Sequence, residues 1–337
     1  MEKRTSLKDI AKRVGVSVAL VSYVLNGKEK EMRVGAEVVR KVRQVALELN
    51  YEPNQIARSL RIGSTKTIGL VVADISNPFF GHLARIIEDE AIKLGYTVIF
   101  GSSDEDEHKS GMVLNTLLNR QVDGYIIVPS EGTVKQIGSL IRRKRPVVLL
   151  DRYFPELSCS HIVLNNFQAT FDATSYLINK GLKRIALVAY RTALIHMRER
   201  IRGYAEAMDN SGLPYSDLLV EIKFEHSRTE TENSLKAVLS KKKNIEAIVF
   251  ANNGLSLAGL YYMQKHCIKI PGDMAFIGFD GGEAFDLYST PLSYVKQPLE
   301  EMGKEAVKIL IDIIKGPNKI TQIMLDSELI IRESSGC

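Results

Sequence analysis

The stretch "RVGVSVALVSYVLNGK", residues 13–28, decides how the first third of the reading goes. Gly15 breaks one short helical pattern and Ser17 opens another. Upstream, "LKDIAKRV" places Leu7, Ile10, Ala11 and Val14 on one helical face. Ser6 stands as its N-cap, Asp9 follows three residues on in a partial capping-box pattern, and Gly15 supplies the closing turn. The second helix runs from Ser17 to about Leu25, and Val16, Val21 and Val24 pack against Leu7, Ile10 and Ala11. A third helix over roughly 36–49 buries Val38 or Val39, Val42, Val45, Ala46 and Leu49. Helix, glycine turn, helix and supporting helix make a helix-turn-helix.

The second helix turns Val18, Ala19, Ser22 and Tyr23 outward, an uncharged and partly apolar face poorly suited to water. An α-helix fits the DNA major groove, where each base edge carries its own donor, acceptor or methyl pattern. Val18 and Ala19 suit thymine methyls, and Tyr23 suits a base or sugar. Ser17, Ser22 and Asn26 suit phosphates, as do the amides at the Ser17 end. Charge agrees with this: residues 1–63 hold 13 Lys/Arg against 7 Asp/Glu, and the remainder 32 against 33. A small basic part is joined to a large, nearly neutral one, a distribution that favours a polyanion partner. The alternative is a small amphipathic helical hairpin with no nucleic-acid partner.

"YEPNQIARSLRIGST" follows, a polar and basic linker with Pro53 ahead of a short helix over 54–60. Such a helix is too short to be stable alone. From residue 67 the texture changes. "TIGLVVADI", "YTVIFGSS", "VDGYIIVPS", "RPVVLLDR", "RIALVAY", "EAIVFAN" and "MAFIGFD" are short β-branched runs separated by helical patterns. This alternation predicts parallel sheets of βαβ units, in two doubly wound lobes with a break near 165–170. Ligands of such sheets bind beyond the carboxyl ends of the strands. "VADISN", "LLDR", "FANN" and "GFDG" each put Asp or Asn there.

The composition is ordinary for a soluble chain of 337 residues, 45% hydrophobic and 25% charged. No apolar run is long enough to span a membrane, and the N-terminus lacks the apolar stretch of a secretory signal. Cys159, Cys267 and Cys337 are far apart, which speaks against a disulfide framework and for a reducing cytoplasm. None of the six histidines has metal-ligand spacing to another, and GxSxG, Walker and strand-borne GxGxxG motifs are missing. "DEDE" at 104–107 reads as a solvated helix entry, and "GFDGGEAFD" at 278–286 as a flexible loop.

Taken together, "SLKDIAKRVGVSVALVSYVLNGK", "ELNYEPNQIARSLR", "TIGLVVADISNPFF", "VDGYIIVPS" and "FIGFD" resemble the LacI/GalR family of bacterial transcriptional regulators. The likeness runs from Leu7 to "LIIRESS". It implies a cytoplasmic homodimer on a palindromic operator, with no cofactor and no enzymatic activity. The implied fold is α/β: an all-α head over 1–53, a hinge helix and linker over 54–64, and an effector-binding and dimerisation core over 65–337. That core resembles periplasmic sugar-binding proteins, with an N-lobe of about 65–165 and 297–326 and a C-lobe of about 166–296 and 327–337. The chain ends without a heptad tail, which favours a dimer over a tetramer.

Residue by residue, Val18, Ala19 and Tyr23 match the family's base-reading positions. The third is usually Arg, so bidentate arginine–guanine readout is lost here. Lys28, Lys30 and Arg33, in a loop longer than usual, add candidate phosphate contacts. Asn54 to Arg61 match the hinge helix, and Leu60 matches a leucine wedged into the minor groove, where unstacking bends the duplex. Arg58 and Arg61 would hold adjacent phosphates or the groove floor. Around the cleft the resemblance places Asp74, Ser76, Phe79, Phe80, Asp151, Arg200, Phe224, Asn252 and Asp280, a polar set with an aromatic wall that suits a carbohydrate. Asn253 stands where Asp is common, and "LNNFQA" replaces a common Asp-Asn. Two rivals share the core: a solute-binding module, which the missing signal disfavours, and a sugar-modifying enzyme, which the missing nucleophile–base set disfavours.

Overall fold

The chain divides into two compact units, 1–65 and 66–337. The computed structural model describes residues 5–51, 63–224, 227–241, 244–316 and 319–336. Asn54, Arg58, Leu60 and Arg61 lie outside the described residues.

In the first unit, α1 (Leu7–Val14), α2 (Val18–Leu25) and α3 (Ala36–Glu48) enclose one small core. Ile10, Val21 and Val42 are fully buried there, with Ala11, Val24 and Ala46 beside them. Each such aliphatic side chain contributes about 1.5–3 kcal/mol, so a few of them hold the unit together. The ends are set locally. The Asp9 carboxylate accepts from the Ser6 amide at 2.9 Å, Gly15 takes the left-handed conformation (φ 79°), and Ser17 Oγ accepts from the Leu20 amide at 3.2 Å.

The second unit has two lobes of the same design. The N-lobe sheet contains β1 (Thr67–Val72), β2 (Thr97–Ser102), β3 (Gly124–Ile127), β4 (Val147–Asp151), β5 (Ser160–Leu164) and β11 (Gln322–Leu325). Its order is β11-β5-β4-β3-β1-β2, parallel throughout. The C-lobe sheet contains β6 (Ile185–Tyr190), β7 (Leu219–Ile222), β8 (Ala247–Phe250), β9 (Ala275–Phe279), β10 (Ser293–Lys296) and β12 (Glu328–Ile330). Its order is β12-β10-β9-β8-β6-β7, parallel except for the β10–β12 edge. The central strands are buried on both faces, which explains their unbroken apolar sequences.

Helices α4 (Pro78–Lys93), α5 (Glu107–Asn119), α6 (Val134–Arg142) and α12 (Leu299–Lys315) accompany the first sheet. Helices α7 (Asn166–Asn179), α8 (Ile195–Asn210), α9 (Ser227–Lys241), α10 (Asn253–Lys265) and α11 (Glu283–Leu287) accompany the second. The chain therefore passes between lobes three times, near Asn165, Gln297 and Asp326. Asn165 Nδ2 donates to Asp326 Oδ1 at 3.1 Å and ties two of these crossings together.

Two stretches differ from their sequence reading. The "GFDGGEAFD" loop is partly helical: Gly281 and Gly282 turn at positive φ, and α11 then buries Phe285 edge-on against Phe276. The burial of one aromatic ring fixes what the glycines suggested would be loose. In "DEDE", Asp106 caps α5 by accepting from the Lys109 amide at 2.6 Å, but Glu105 turns inward onto Arg152 instead of staying in water. Among the described residues no helix is long and apolar enough to cross a membrane.

Candidate functional site

On α2 the outward face is graded. Val18 is 40% exposed and Ala19 is exposed, whereas Ser22 and Tyr23 are half-buried at the shoulder of the core. The helix carries no charged residue of its own. Asn26 closes α2 by donating to the Ser22 carbonyl at 2.6 Å, so its amide is already engaged. Beyond it, Lys28, Lys30 and Arg33 are exposed. Glu29 accepts from Arg43 at 2.6 Å and pins this loop to α3. The head thus presents apolar and hydroxyl groups on α2, with three exposed cations in the loop that follows.

The second cluster forms between the lobes, beyond the carboxyl ends of the strands. Asp151 ends β4 and Asp280 follows β9, both at positive φ (65° and 69°). Asp tolerates this backbone better than most residues. Neither carboxylate caps a helix. Arg200, 2% exposed on α8, is fixed from two sides: Nε donates to Asn166 Oδ1 at 2.7 Å and an η-nitrogen to the Ala251 carbonyl at 2.5 Å. Its guanidinium lies 3.7 Å over the Phe279 ring. The close approach of α7 and α8 that permits this depends on Gly203, where a Cβ would stand 2.1 Å from the Phe167 carbonyl oxygen.

Arg152 is also buried. It grips Glu105 at 2.7 Å through both η-nitrogens and reaches Asp151 at 3.2 Å through Nε. Burial works against its charge, but Glu105 and Asp151 more than offset that, and its pKa is raised. Desolvation pushes Asp151 up, opposed by Arg152 and Arg200. It pushes Asp280 up to about 6, opposed by Arg200 and by the Gln297 hydrogen bond at 2.7 Å. His196, one turn before Arg200, is held neutral, its pKa driven well down by burial and by the two guanidiniums.

The other expected cleft residues have defined places. Asp74 accepts from the Ser76 amide and hydroxyl at 2.9 and 2.7 Å, closing its own turn. Phe79 and Phe80 are 5% and 4% exposed, edge to face within the N-lobe core. Asn252 caps α10, accepting from the Gly254 amide at 2.8 Å. Phe224 packs on Tyr190 at 5.4 Å between centroids. The polar centre thus gathers Asp151, Arg200 and Asp280. It also recruits Arg152, His196, Asn166 and Gln297, which the sequence reading passed over. "LLDR" gave no sign of Arg152's burial, because arginine is mostly exposed and is buried only when paired, as here with Glu105 and Asp151.

A helix-turn-helix unit followed in the chain by a two-lobed unit with a polar cleft defines a DNA-binding transcriptional regulator of the effector-controlled kind. Residues 6–54 match the bacterial regulatory proteins of the lacI family, and residues 174–335 match a periplasmic binding protein-like domain. The ribose operon repressor of Haemophilus influenzae is 30% identical over 331 residues, 98% of each chain. The HTH-type transcriptional regulator DegA of Bacillus subtilis is 30% identical over 340 residues, again 98% of each. The crystal structure of the Lac repressor dimer bound to operator and an anti-inducer shares the fold, with a TM-score of 0.86 at 22% identity over 99% of both chains. The chain belongs to the LacI family. It is a transcriptional regulator with a DNA-binding and an effector-binding domain, and not an enzyme.

Proposed function

We propose that this regulator is a repressor: a homodimer on a palindromic operator, released or retained according to a sugar or sugar derivative held between its core lobes. The observation that carries this is Arg200. A fully buried guanidinium, clamped by Asn166 and Ala251 between two strand-end carboxylates, is built to meet a polar ligand. Asp151, Arg200, Asn252 and Asp280 are the proposed hydrogen-bonding set, with Asp74, Ser76, Phe79, Phe80 and Phe224 around them. In the head, Val18, Ala19 and Tyr23 read base edges, while Ser17, Ser22 and Asn26 lie toward phosphates. The division into head (1–53), hinge (54–64) and core (65–337) belongs to this reading, with Asn54, Arg58, Leu60 and Arg61 in the hinge.

Dimerisation is supported by an apolar strip at the N-lobe edge. Ile99 and Phe100 are 37% and 58% exposed on the edge strand β2, next to exposed Ile92 and Leu94 at the end of α4. An exposed apolar edge strand invites a partner.

The test is quantitative footprinting of the full-length protein upstream of neighbouring genes, with candidate sugars added. A protected palindrome whose occupancy falls steeply with salt and shifts with one sugar supports the reading. Equal affinity for all duplexes at moderate ionic strength, with and without sugars, refutes it.

A further inference from the structure

The effector cleft has an unusual hydrogen-bonding balance. Arg200 lies in the field of both Asp151 and Asp280, yet among the described residues no ion pair within 4.0 Å joins it to either. A gap between a carboxylate that accepts and a guanidinium that donates suits a group able to do both, such as a hydroxyl. Other unmatched atoms surround it. His196 Nδ1, Asn253 Oδ1 and Gln297 Oε1 are buried without a hydrogen-bond partner, on residues 5%, 3% and 5% exposed. The two amide oxygens only accept, and an unmet buried acceptor costs about 1–3 kcal/mol. The site is therefore short of donors.

Its formal charge points the same way. Arg152 is spent on Glu105 and Asp151, and Arg200 answers Asp151 and Asp280. His196 adds no positive charge. Within this described cluster three carboxylates, Glu105, Asp151 and Asp280, thus outnumber two guanidiniums, and each guanidinium is already matched to a carboxylate. A phosphate or carboxylate entering here would be desolvated beside Asp151 and Asp280 with nothing to neutralise it.

We propose that the effector is a neutral, hydroxyl-rich molecule and that the cleft excludes phosphorylated and carboxylated sugars. This rests on the sugar reading above and narrows it. Hydroxyls of the ligand donate to Asp280, Gln297 and Asn253, and one accepts from Arg200.

The experiment is thermal-shift and calorimetric titration of the full-length protein with matched pairs. These are D-ribose and ribose 5-phosphate, D-glucose and glucose 6-phosphate, with D-galactose, cellobiose, gluconate and inorganic phosphate alongside. At least one neutral sugar is expected to raise Tm, with its phosphorylated counterpart at least about tenfold weaker and inorganic phosphate inert. A phosphorylated or carboxylated sugar binding as tightly as its neutral partner, or tighter, overturns the charge argument and leaves the sugar reading standing. A panel in which no carbohydrate of either kind binds overturns both.

Discussion

Thr192 Oγ1 donates to the carboxylate of Glu131 at 2.7 Å, and in doing so joins the C-lobe to the N-lobe. Two residues on, Leu194 is 5% exposed and packs into the N-lobe cluster with Phe154, Cys159 and Leu140. This loop leads straight into α8, which carries His196 and Arg200. The contact between lobes and the proposed ligand residues thus share one loop and helix. An effector favours whichever arrangement it binds better, and only by that difference in affinity.

Replacing Glu131 by Ala removes this hydrogen bond and the longer one from the Ala193 amide at 3.4 Å, and leaves the proposed site residues untouched. A hydrogen bond of this kind contributes about 0.5–1.5 kcal/mol. If the lobes close around the effector as drawn here, affinity falls roughly two- to tenfold by calorimetry, from the same relation of free energy to equilibrium constant. An unaltered dissociation constant means that the contact does not distinguish the liganded arrangement.

Gly203 is the second place where packing reaches the site. A methyl group there meets the backbone carbonyl of Phe167, which cannot move unless α7 separates from α8. Asn166, the partner of Arg200, is the residue before Phe167. The Gly203→Ala protein is expected to lose about 1–3 kcal/mol of stability from overpacking, seen as a lower Tm, together with most of its effector affinity. Arg200→Ala separates the two effects: effector affinity drops while operator binding without effector persists. Retained effector affinity in Arg200→Ala removes this residue from the site.

These residues also show what the sequence made legible. Parallel sheets and the helix-turn-helix could be read because strand burial and helical spacing leave periodic traces, as in "TIGLVV" and "LKDIAKRV". Asp280 could be read as the strand-end Asp of "GFDG", whereas Arg200 could be placed only through resemblance, and the burial of neither had a local mark. Asn166 and Gln297 were missed because each stands where the chain crosses between lobes and meets its partner from another element, Arg200 on α8 and Asp280 after β9. Glu105 was assigned to water because it sits in an acidic run, and its partner Arg152 is 47 residues away.

With Asp280 in the proposed hydrogen-bonding set, effector binding is expected to depend on pH. Its pKa is about 6, raised by desolvation and moderated by Arg200 and Gln297, with Asp151 adding to the rise. The ordinary value is about 4. Below that value the group is protonated in folded and unfolded chains alike and costs nothing. Between about 4 and 6 the folded state holds the extra proton, so stability declines as pH rises, and the penalty is complete above about 6. Ligand hydroxyls that donate to the carboxylate favour its charged form, so binding releases protons near pH 6 and affinity weakens as pH falls through it. His196 stays neutral over this range. Calorimetry in buffers of different ionisation enthalpy should show the release in the native protein and its loss in Asp280→Asn. Identical proton release in both assigns the linkage elsewhere.

In the head, Tyr23 and Val21 are near neighbours on α2 with opposite duties. Val21 is fully buried, and its replacement by Ala opens a cavity that costs on the order of 1–3 kcal/mol, a large loss for a core of three short helices. Tyr23 is half-buried and is not among the residues packed on that core. Tyr23→Ala is therefore expected to leave the helical circular-dichroism signal and the melting of the head unchanged. Its effect falls on discrimination, because one base contact is worth roughly 1–3 kcal/mol between right and wrong base pairs. Salt dependence should stay nearly constant, since no phosphate charge is removed. Anisotropy titrations of an operator against single-base variants at two salt concentrations read both quantities. Unchanged discrimination at every base pair in Tyr23→Ala would show that the tyrosine does not face the bases, and the reading surface would then shrink to Val18 and Ala19.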